Sequence, residues 1–492
     1  MLEEILTPSA LAIDINGVRM AESMSKAVSS VVVRGSMGFP TVSEIELTEA
    51  VEEIPLAVNV GDAVSVDLKT QASLARLFEG TVSRVEAIHG ADGMQSIRIR
   101  AYDQLEKLRQ RAQIRRVENA SLASVAGELA SEIGLQADTS QCTGASRTEV
   151  QQGVSDLEFL RRLAEKEGLY PFVRAGILQL RGLGGSEDET PLKLGESLFE
   201  VQLSVSAEQS VASAVVGSWN AESLDAHSVC EERTAVAGAV DRVIANAAVD
   251  SELVSRQIGE YAVDRGEAFE RVAKGVALGN ADLVPGRAVH IGGVREGFAG
   301  RYVVNSVVHR LDSGGYRTEF NTEPPRVMET RDQPIVTPGR VVSIDDPENR
   351  GRCRVSVTGF SEVEGGWLQA VIAGAGRRKG AAILPEVGED VLAVFPNGDL
   401  ATGFVLGGLY GTRRLPSGMD RDSDRPYVVR TGGGQCLELS GKGALARVST
   451  SSGSLLEFGR NRARLASATD LVIEAPGKRI VIRADAIDFE RG

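Results

Sequence analysis

The sequence predicts a mainly β protein that carries one helical stretch inside it and ends in a β segment unable to close on itself. Three observations lead there. Short alternating runs broken by glycine occupy residues 1–110 and return after 175. Apolar residues at helical spacing concentrate between 119 and 168. About five short strands crowd into 335–411, and further short strands follow with no helix to cover them.

In the first part, Ala12-Ile13-Asp14-Ile15 alternates and meets an Asn16-Gly17 turn. Runs 29–34, 42–47, 63–68 and 97–101 read alike, with Gly61-Asp62, Gly80 and Gly90-Ala91-Asp92-Gly93 between them, which is the spacing of a small barrel or sandwich. The period then changes. Leu122, Val125, Ala126, Leu129 and Ile133 share one helix face, and Gly134 is placed to end it. A second helix is predicted over 155–168. There Ser155 and Glu158 have capping-box spacing, Leu157, Leu160, Leu163 and Ala164 form the buried stripe, and Gly168 stops the helix before a strand at 169–173. Residues 175–330 return to β signals around a helix at 251–273, with a hairpin pairing 300–310 and 316–320 across Asp312-Ser313-Gly314-Gly315.

Pro324-Pro325, Pro334 and Pro338 mark a connector. Strands at 341–344, 353–357, 367–372, 391–395 and 404–406 then fit a small barrel of the oligonucleotide/oligosaccharide-binding (OB) type, with Trp367 and Phe395 at strand positions that read as core. Residues 412–429, with Pro416 and Pro426, read as a linker. The last runs, 436–439, 455–458, 471–473, 480–482 and 486–489, are separated by Gly441, Gly443, Gly453, Gly459 and Gly477. Such strands are too short to bury a core in one chain, and they leave open edges. Copies wrapped around a shared apolar axis, in a closed symmetric ring, resolve both problems.

Charge and motifs exclude several functions. A net charge of −14 gives no general attraction for nucleic acid or anionic lipid, so the expected partner surfaces are protein. The basic run Arg377-Arg378-Lys379 reads as a solvated loop or a protein contact. Cys142, Cys230, Cys353 and Cys436 form no C-x-x-C pair and read as reduced thiols. His89, His227, His290 and His309 lie in no H-E-x-x-H pattern, His309 reads as structural, and there is no G-x-S-x-G nucleophile elbow. Glu52-Glu53, Asp345-Asp346 and Glu389-Asp390 are adjacent carboxylates of turns rather than pairs converging on a cleft. No catalytic residue, metal ligand or cofactor is expected. The N-terminus has no basic stretch followed by an apolar one, so no Sec-type leader is expected.

Three blocks resemble one family. The first is Ile97-Arg98-Ile99-Arg100-Ala101-Tyr102-Asp103-Gln104-Leu105, a strand, a Tyr-Asp pair and a short helix. The second is the 155–168 helix with its Asp-Leu-x-Phe-Leu-Arg-Arg-Leu core around Phe159 and Leu160. The third runs from Trp367 through Leu384-Pro385-Glu386-Val387-Gly388-Glu389-Asp390-Val391 to Val405-Leu406-Gly407-Gly408. With these the chain resembles the VgrG and phage baseplate hub–spike proteins of contractile injection systems. In this chain, Tyr102, Asp103, Phe159, Leu160, Trp367, Pro385, Gly388 and Gly407 are the markers.

The resemblance implies a homotrimer with hub β-barrel 1 at 1–115, a hub α/β part at 116–200, hub β-barrel 2 at 201–330, an OB-fold domain at 335–411, a linker at 412–429 and an intertwined triple-stranded β-helix needle at 430–492. It implies a structural role: capping the inner tube at the baseplate, meeting a LysM-type hub protein, carrying a PAAR-type tip protein, and piercing the target membrane. Assembly in the cytoplasm into a phage tail-like or extracellular particle is expected. Ile487 and Phe489, alternating with Asp488, read either as the last core layer of the needle or as the candidate tip or cap interface. No histidine follows His309, so the His-x-His iron tip of some relatives is not expected. The family's Gly-Asp-Pro turn is replaced by Gly398-Asp399-Leu400-Ala401-Thr402. The alternative is a spike with cell-wall or polysaccharide hydrolase activity, which would need a catalytic insert or paired carboxylates in a cleft; the 412–429 linker is too short for an insert, and no effector domain is expected after Gly492.

Overall fold

The computed structural model describes residues 11–48, 58–69, 74–91, 95–219, 224–248, 252–326, 334–376, 379–396, 398–416, 419, 426–441 and 445–490. The Glu52-Glu53 pair and Arg377-Arg378 lie outside these residues. Residues 1–409 and 410–492 form two compact units.

The alternating runs of the first unit assemble into an eleven-stranded sheet. From edge to edge its strands are Leu198–Val205, Arg271–Leu278, Gly315–Asn321, Ser306–Asp312, Val28–Ser36, Phe39–Thr48, Gln95–Tyr102, Leu74–His89, Ala63–Lys69, Leu11–Ile15 and Val18–Arg19. Its N-terminal and later strands join where Val28–Ser36 runs antiparallel to Ser306–Asp312, with Arg34 opposite Val308. Period two decides the faces. Val31, Val33, Ile45 and Ile99 are buried in one core, whereas Arg34 and Arg100 share Glu44 on the other side at 2.5 and 2.7 Å.

Five α-helices serve this unit among the described residues: α1 Glu22–Ala27, α2 Leu105–Gln110, α3 Leu122–Glu132, α4 Asp156–Lys166 and α5 Glu252–Glu270. Helix α3 carries a reciprocal capping box: the Ser124 amide donates to Ser121 Oγ at 3.1 Å and the Ser121 amide to Ser124 Oγ at 3.0 Å. In α4 only half of the expected box forms. The Glu158 amide donates to Ser155 Oγ at 3.2 Å, but the Glu158 carboxylate turns to Arg162 one helical turn on, at 2.5 Å. The predicted stripe is buried, and Leu157, Leu160, Leu163 and Ala164 pack with Leu122, Val125 and Leu129 of α3.

A turn at Met37-Gly38 ties three stretches of sequence together. The Met37 amide donates to the Asn305 carbonyl at 3.0 Å and the Gly38 amide to the Pro171 carbonyl at 2.7 Å. Gly38 has φ +81°, and a Cβ there would lie 3.2 Å from the Arg161 Nε, so a side chain is disfavoured twice over.

Two sequence expectations need correction here. The helix expected to reach 273 ends at Glu270, because from Arg271 the chain enters the ladder beside Leu198–Val205. The run 300–310 divides: Gly300–Val303 pairs with Ala288–Gly292, while Ser306–Asp312 makes the hairpin with Gly315–Asn321. Asn305 makes the crossing between the two sheets, its amide donating to Asn321 at 2.9 Å.

Ile335–Ser343, Cys353–Val357, Val363–Ala370, Phe404–Gly408 and Asp390–Phe395 close into a five-stranded barrel in that order. Val341, Val355, Leu368, Val391 and Phe395 fill it. Leu400, from the turn that departs from the family pattern, is fully buried with them. The turn reaches inside because Gly366 has no side chain: a Cβ there would sit 1.9 Å from the Ala401 carbonyl oxygen. Gly366→Ala is therefore expected to prevent the barrel from closing, read as loss of the folded protein from the soluble fraction at 37 °C, with Gly359→Ala as the tolerated control. Trp367 is not core, contrary to expectation. Leu368 takes the interior position, and Trp367 is half-buried on the outside under the Arg354 guanidinium, 4.8 Å from the ring centre. Of the four thiols, Cys353 is buried and Cys230 exposed, and all four are free.

In the second unit Tyr427–Arg430, Cys436–Ser440, Leu445–Ser449, Leu455–Phe458 and Ala463–Ala466 form an antiparallel meander in sequence order. Residues 427–429, expected in a linker, thus belong to its first strand. The three runs expected to be strands after it, 471–473, 480–482 and 486–489, are not strands in the single chain. Among the described residues, no strand of the same chain pairs with them to complete a ladder.

Candidate functional site

The meander register sorts its side chains into two unlike faces. Val429, Leu437, Val448, Leu456 and Leu465 stand opposite one another in one cross-strand row. Tyr427, Leu439, Ala446, Phe458 and Ala463 make the next row on the same face, since alternate residues share a face. This face is apolar yet open: Phe458 is 53% exposed and Leu465 57%. The opposite face carries Glu438, Arg447, Glu457 and Arg464 in one row of alternating charge. Arg447 Nε donates to Glu457 at 2.8 Å, and Arg447 holds the Glu457 carboxyl below its ordinary range. Charge therefore pairs within the chain, whereas the apolar rows have nothing within the sheet to cover them. Contiguous apolar faces of this kind mark association surfaces.

The chain beyond the meander extends the pattern. Leu471-Val472-Ile473 and Ile480-Val481-Ile482 are exposed on either side of a turn in which the Lys478 amide donates to Ala475 at 2.9 Å. Of the candidate tip residues, Ile487 is half exposed and Phe489 is 94% exposed, with Asp488 exposed between them.

The fold-marker residues are not gathered into one site. Tyr102 ends a sheet strand and Asp103 follows it, buried. The Asp103 carboxylate accepts the Thr41 amide at 2.9 Å and the Leu105 amide at 3.0 Å, so it fastens the start of α2 to the sheet. Phe159 and Leu160 are core residues of α4. Trp367 lies on the barrel wall, Gly388 makes a turn at φ +90° with its amide on the Val341 carbonyl, Pro385 precedes that turn, and Gly407 lies in the last barrel strand.

Asp103 and His309 both line a cavity of about 310 Å³, together with Phe78, Phe172 and Val307. Burial pushes the Asp103 carboxyl up to about 7, the Glu106 charge adding to it and the Thr41 and Leu105 amides opposing it. Burial holds the His309 imidazole down to about 4, and its Nδ1 is hydrogen-bonded to the Tyr316 hydroxyl at 2.9 Å. Each sign follows from linkage. The native state binds the Asp103 proton more tightly than the unfolded chain does, so stability from this group is lost as pH rises from about 4 to about 7. His309 acts oppositely, from about 4 to its ordinary 6.5. Asp103→Asn keeps His309, so the variant should lose less stability than the parent between pH 5 and pH 8, by about 1–3 kcal/mol in urea unfolding. Parallel pH profiles would contradict this.

Among the described residues no group of three or more His, Cys, Asp or Glu is placed to hold a metal ion, and no helix is long and apolar enough to cross a membrane.

Residues 38–180 match the phage tail baseplate hub (GPD) family, and residues 337–410 match the type VI secretion system/phage-baseplate injector OB domain. Among solved structures, the E. coli c3393 protein is described as a component of the type VI secretion system with structural similarity to T4 bacteriophage tail proteins gp27 and gp5. It aligns with a TM-score of 0.55 at 14% identity, over 81% of this chain and 99% of its own. The lidded Francisella PdpA–VgrG complex aligns at 0.53 and 7% identity, over 93% of this chain and 80% of that one. The tail protein from Neisseria meningitidis MC58 aligns at 0.50 and 11% identity, over 63% and 95%. None of the curated proteins matches the sequence. At these identities the likeness is one of fold.

Proposed function

Since the chain belongs to the VgrG and phage baseplate hub–spike family and is a structural component of a baseplate, we propose that it acts as a homotrimeric spike. Three copies lay their apolar sheet faces on one another and continue into a needle through 471–490, each copy supplying the strands that the others lack. The observation that carries this reading is the apolar double row on the C-terminal sheet beside a self-paired charged face. Three copies are the family's number; the face itself asks only for closed association.

In this reading 1–115, 116–200 and 201–330 form the hub that caps the inner tube and meets a LysM-type baseplate protein. The barrel at 335–411 is the collar, and 430–492 is the needle. Ile487, Asp488 and Phe489 lie where a PAAR-type tip protein would seat. Sheath contraction drives the assembly through the target membrane, and the work is mechanical rather than catalytic. Assembly takes place in the cytoplasm, within a tail-like particle. Strength comes from inter-chain ladders in which no strand peels without breaking its neighbours. An affinity tag on this chain should mark the baseplate pole of isolated particles in electron micrographs. Label along the sheath, or on free protein only, would overturn the assignment.

A further inference from the structure

One face of α5 carries charge that its own chain does not answer. Asp264 and Glu267 lie three residues apart, so they share a helix face and repel each other. Both are exposed, and neither carboxylate has a hydrogen-bond or ion-pair partner among the described residues. Both line a cavity of about 300 Å³ between α5 and strand Gly300–Val303. Asn305, 4% exposed, lines the same cavity from its buried side. Its Nδ2 donates to the Thr322 carbonyl at 2.6 Å, which fixes the amide's orientation, since the reverse would set two carbonyl oxygens against each other. The buried Asn305 Oδ1 is left without a hydrogen-bond partner among the described residues. An unanswered buried acceptor is costly in a native fold, and an occupant that donates to it removes the cost.

Two arginines also line the cavity, and their existing bonds decide what charge it takes. Arg301 is engaged elsewhere, its Nε with Glu189 at 3.0 Å and its Nη2 with the Ser186 carbonyl at 2.8 Å. Arg271 directs Nη2 to the carbonyls of Gly297 and Ala299 and to the Tyr302 hydroxyl, at 3.3, 3.0 and 3.3 Å. Its Nε is buried and has no partner among the described residues. The unanswered groups are thus two carboxylates and a carbonyl oxygen against one guanidinium N–H. Their complement is a cation rich in donors that also offers one acceptor. A bare metal ion would fill little of this volume and would give the Arg271 Nε nothing to donate to.

We propose that this cavity binds a small primary ammonium compound with a hydroxyl or carbonyl a few bonds from its nitrogen. The ammonium donates to Asn305 Oδ1 beside the Asp264 and Glu267 carboxylates, and the ligand's oxygen accepts from Arg271 Nε. The site does not depend on the spike reading.

Calorimetric titration of the full chain with 4-aminobutanol, butylamine and 1,4-butanediol separates these roles. The amino alcohol is expected to bind saturably, butylamine about tenfold more weakly, and the uncharged diol not measurably. Diol binding equal to that of the amino alcohol would overturn the proposal, and butylamine binding as tightly would overturn the role of Arg271. Asp264→Asn with Glu267→Gln changes two exposed side chains and should weaken the amino alcohol by about tenfold or more. Glu260→Gln, on the same helix but outside the cavity, should leave binding unchanged. An equal loss in Glu260→Gln would reduce the effect to general attraction by an acidic surface and overturn the site. Absence of saturable binding would overturn it outright.

Discussion

Leu456→Asp should dissociate the assembled protein into single chains. Leu456 lies inside the apolar row, with Val448 on one side and Leu465 on the other. In a closed assembly every copy would carry a carboxylate into the shared core. Burying an unpaired charge costs several kcal/mol, and the cost recurs in each copy. Leu456→Met keeps the volume and should leave the mass unchanged. Arg464→Ala, on the charged face, removes only an exposed end of the charge row and should also leave it unchanged. Size-exclusion chromatography with light scattering reads all three. Undiminished mass in the Leu456→Asp variant would place the association surface elsewhere.

The second large effect is expected inside the barrel, at Asp346→Ala. Asp346 organises the loop between the first two barrel strands from a nearly dry position. Its carboxylate accepts the amides of Glu348 at 3.1 Å, Arg350 at 2.7 Å and Arg352 at 3.3 Å, and the Arg352 guanidinium at 2.8 Å. Arg352 is itself only 2% exposed. Its hydrogen bonds hold the Asp346 carboxyl far below the ordinary carboxylate range, the backbone amides assisting and burial opposing. Stability from this group is therefore present at neutral pH and lost only as pH falls through that depressed value. Removing the carboxylate strips three backbone donors of their acceptor and takes from the buried Arg352 guanidinium its Asp346 bonds, leaving it Glu348 at 3.1 Å, at a cost of about 3–5 kcal/mol. Urea unfolding followed by fluorescence of Trp367, which sits on the barrel wall, should show the barrel transition at clearly lower urea. A shift worth less than about 1 kcal/mol would mean that the pair is dispensable.

How much of this was legible beforehand depended on whether the determinant was local. Helices α3 and α4 were readable because spacing, caps and terminating glycines all lie within a dozen residues; Leu157, Leu160, Leu163 and Ala164 are buried as their spacing predicts. The barrel strands were readable for the same reason. Trp367 was misplaced because strand alternation fixes relative faces but not which face is inward, and Leu368 won the interior. The end of α5 was misplaced because its sequence remains helix-compatible past Glu270, while the ladder that captures Arg271 is formed by strands distant in the chain. Strand Leu74–His89, sixteen residues long, was missed because Gly80 reads as a break; there the glycine instead lets the Tyr102 backbone approach, 2.1 Å from where a Cβ would be. The hydrogen bond from Gln152 to the Gly398 carbonyl joins residues too far apart in sequence for any local pattern to reveal it.

The assembly face was legible only by elimination. Short apolar strands that cannot bury themselves imply copies, but the register that gathers Leu437, Val448, Leu456 and Leu465 into one row comes from the sheet. The runs at 471–473 and 480–482 were expected as strands, and among the described residues of the single chain they have no strand partners. Both observations lead to the same central claim, that the C-terminal unit is complete only between copies.

Native mass spectrometry of the purified chain decides this. One dominant species of about 157 kDa, three times the 52.2 kDa chain, is expected to persist on dilution. A stable species of 52.2 kDa would contradict it.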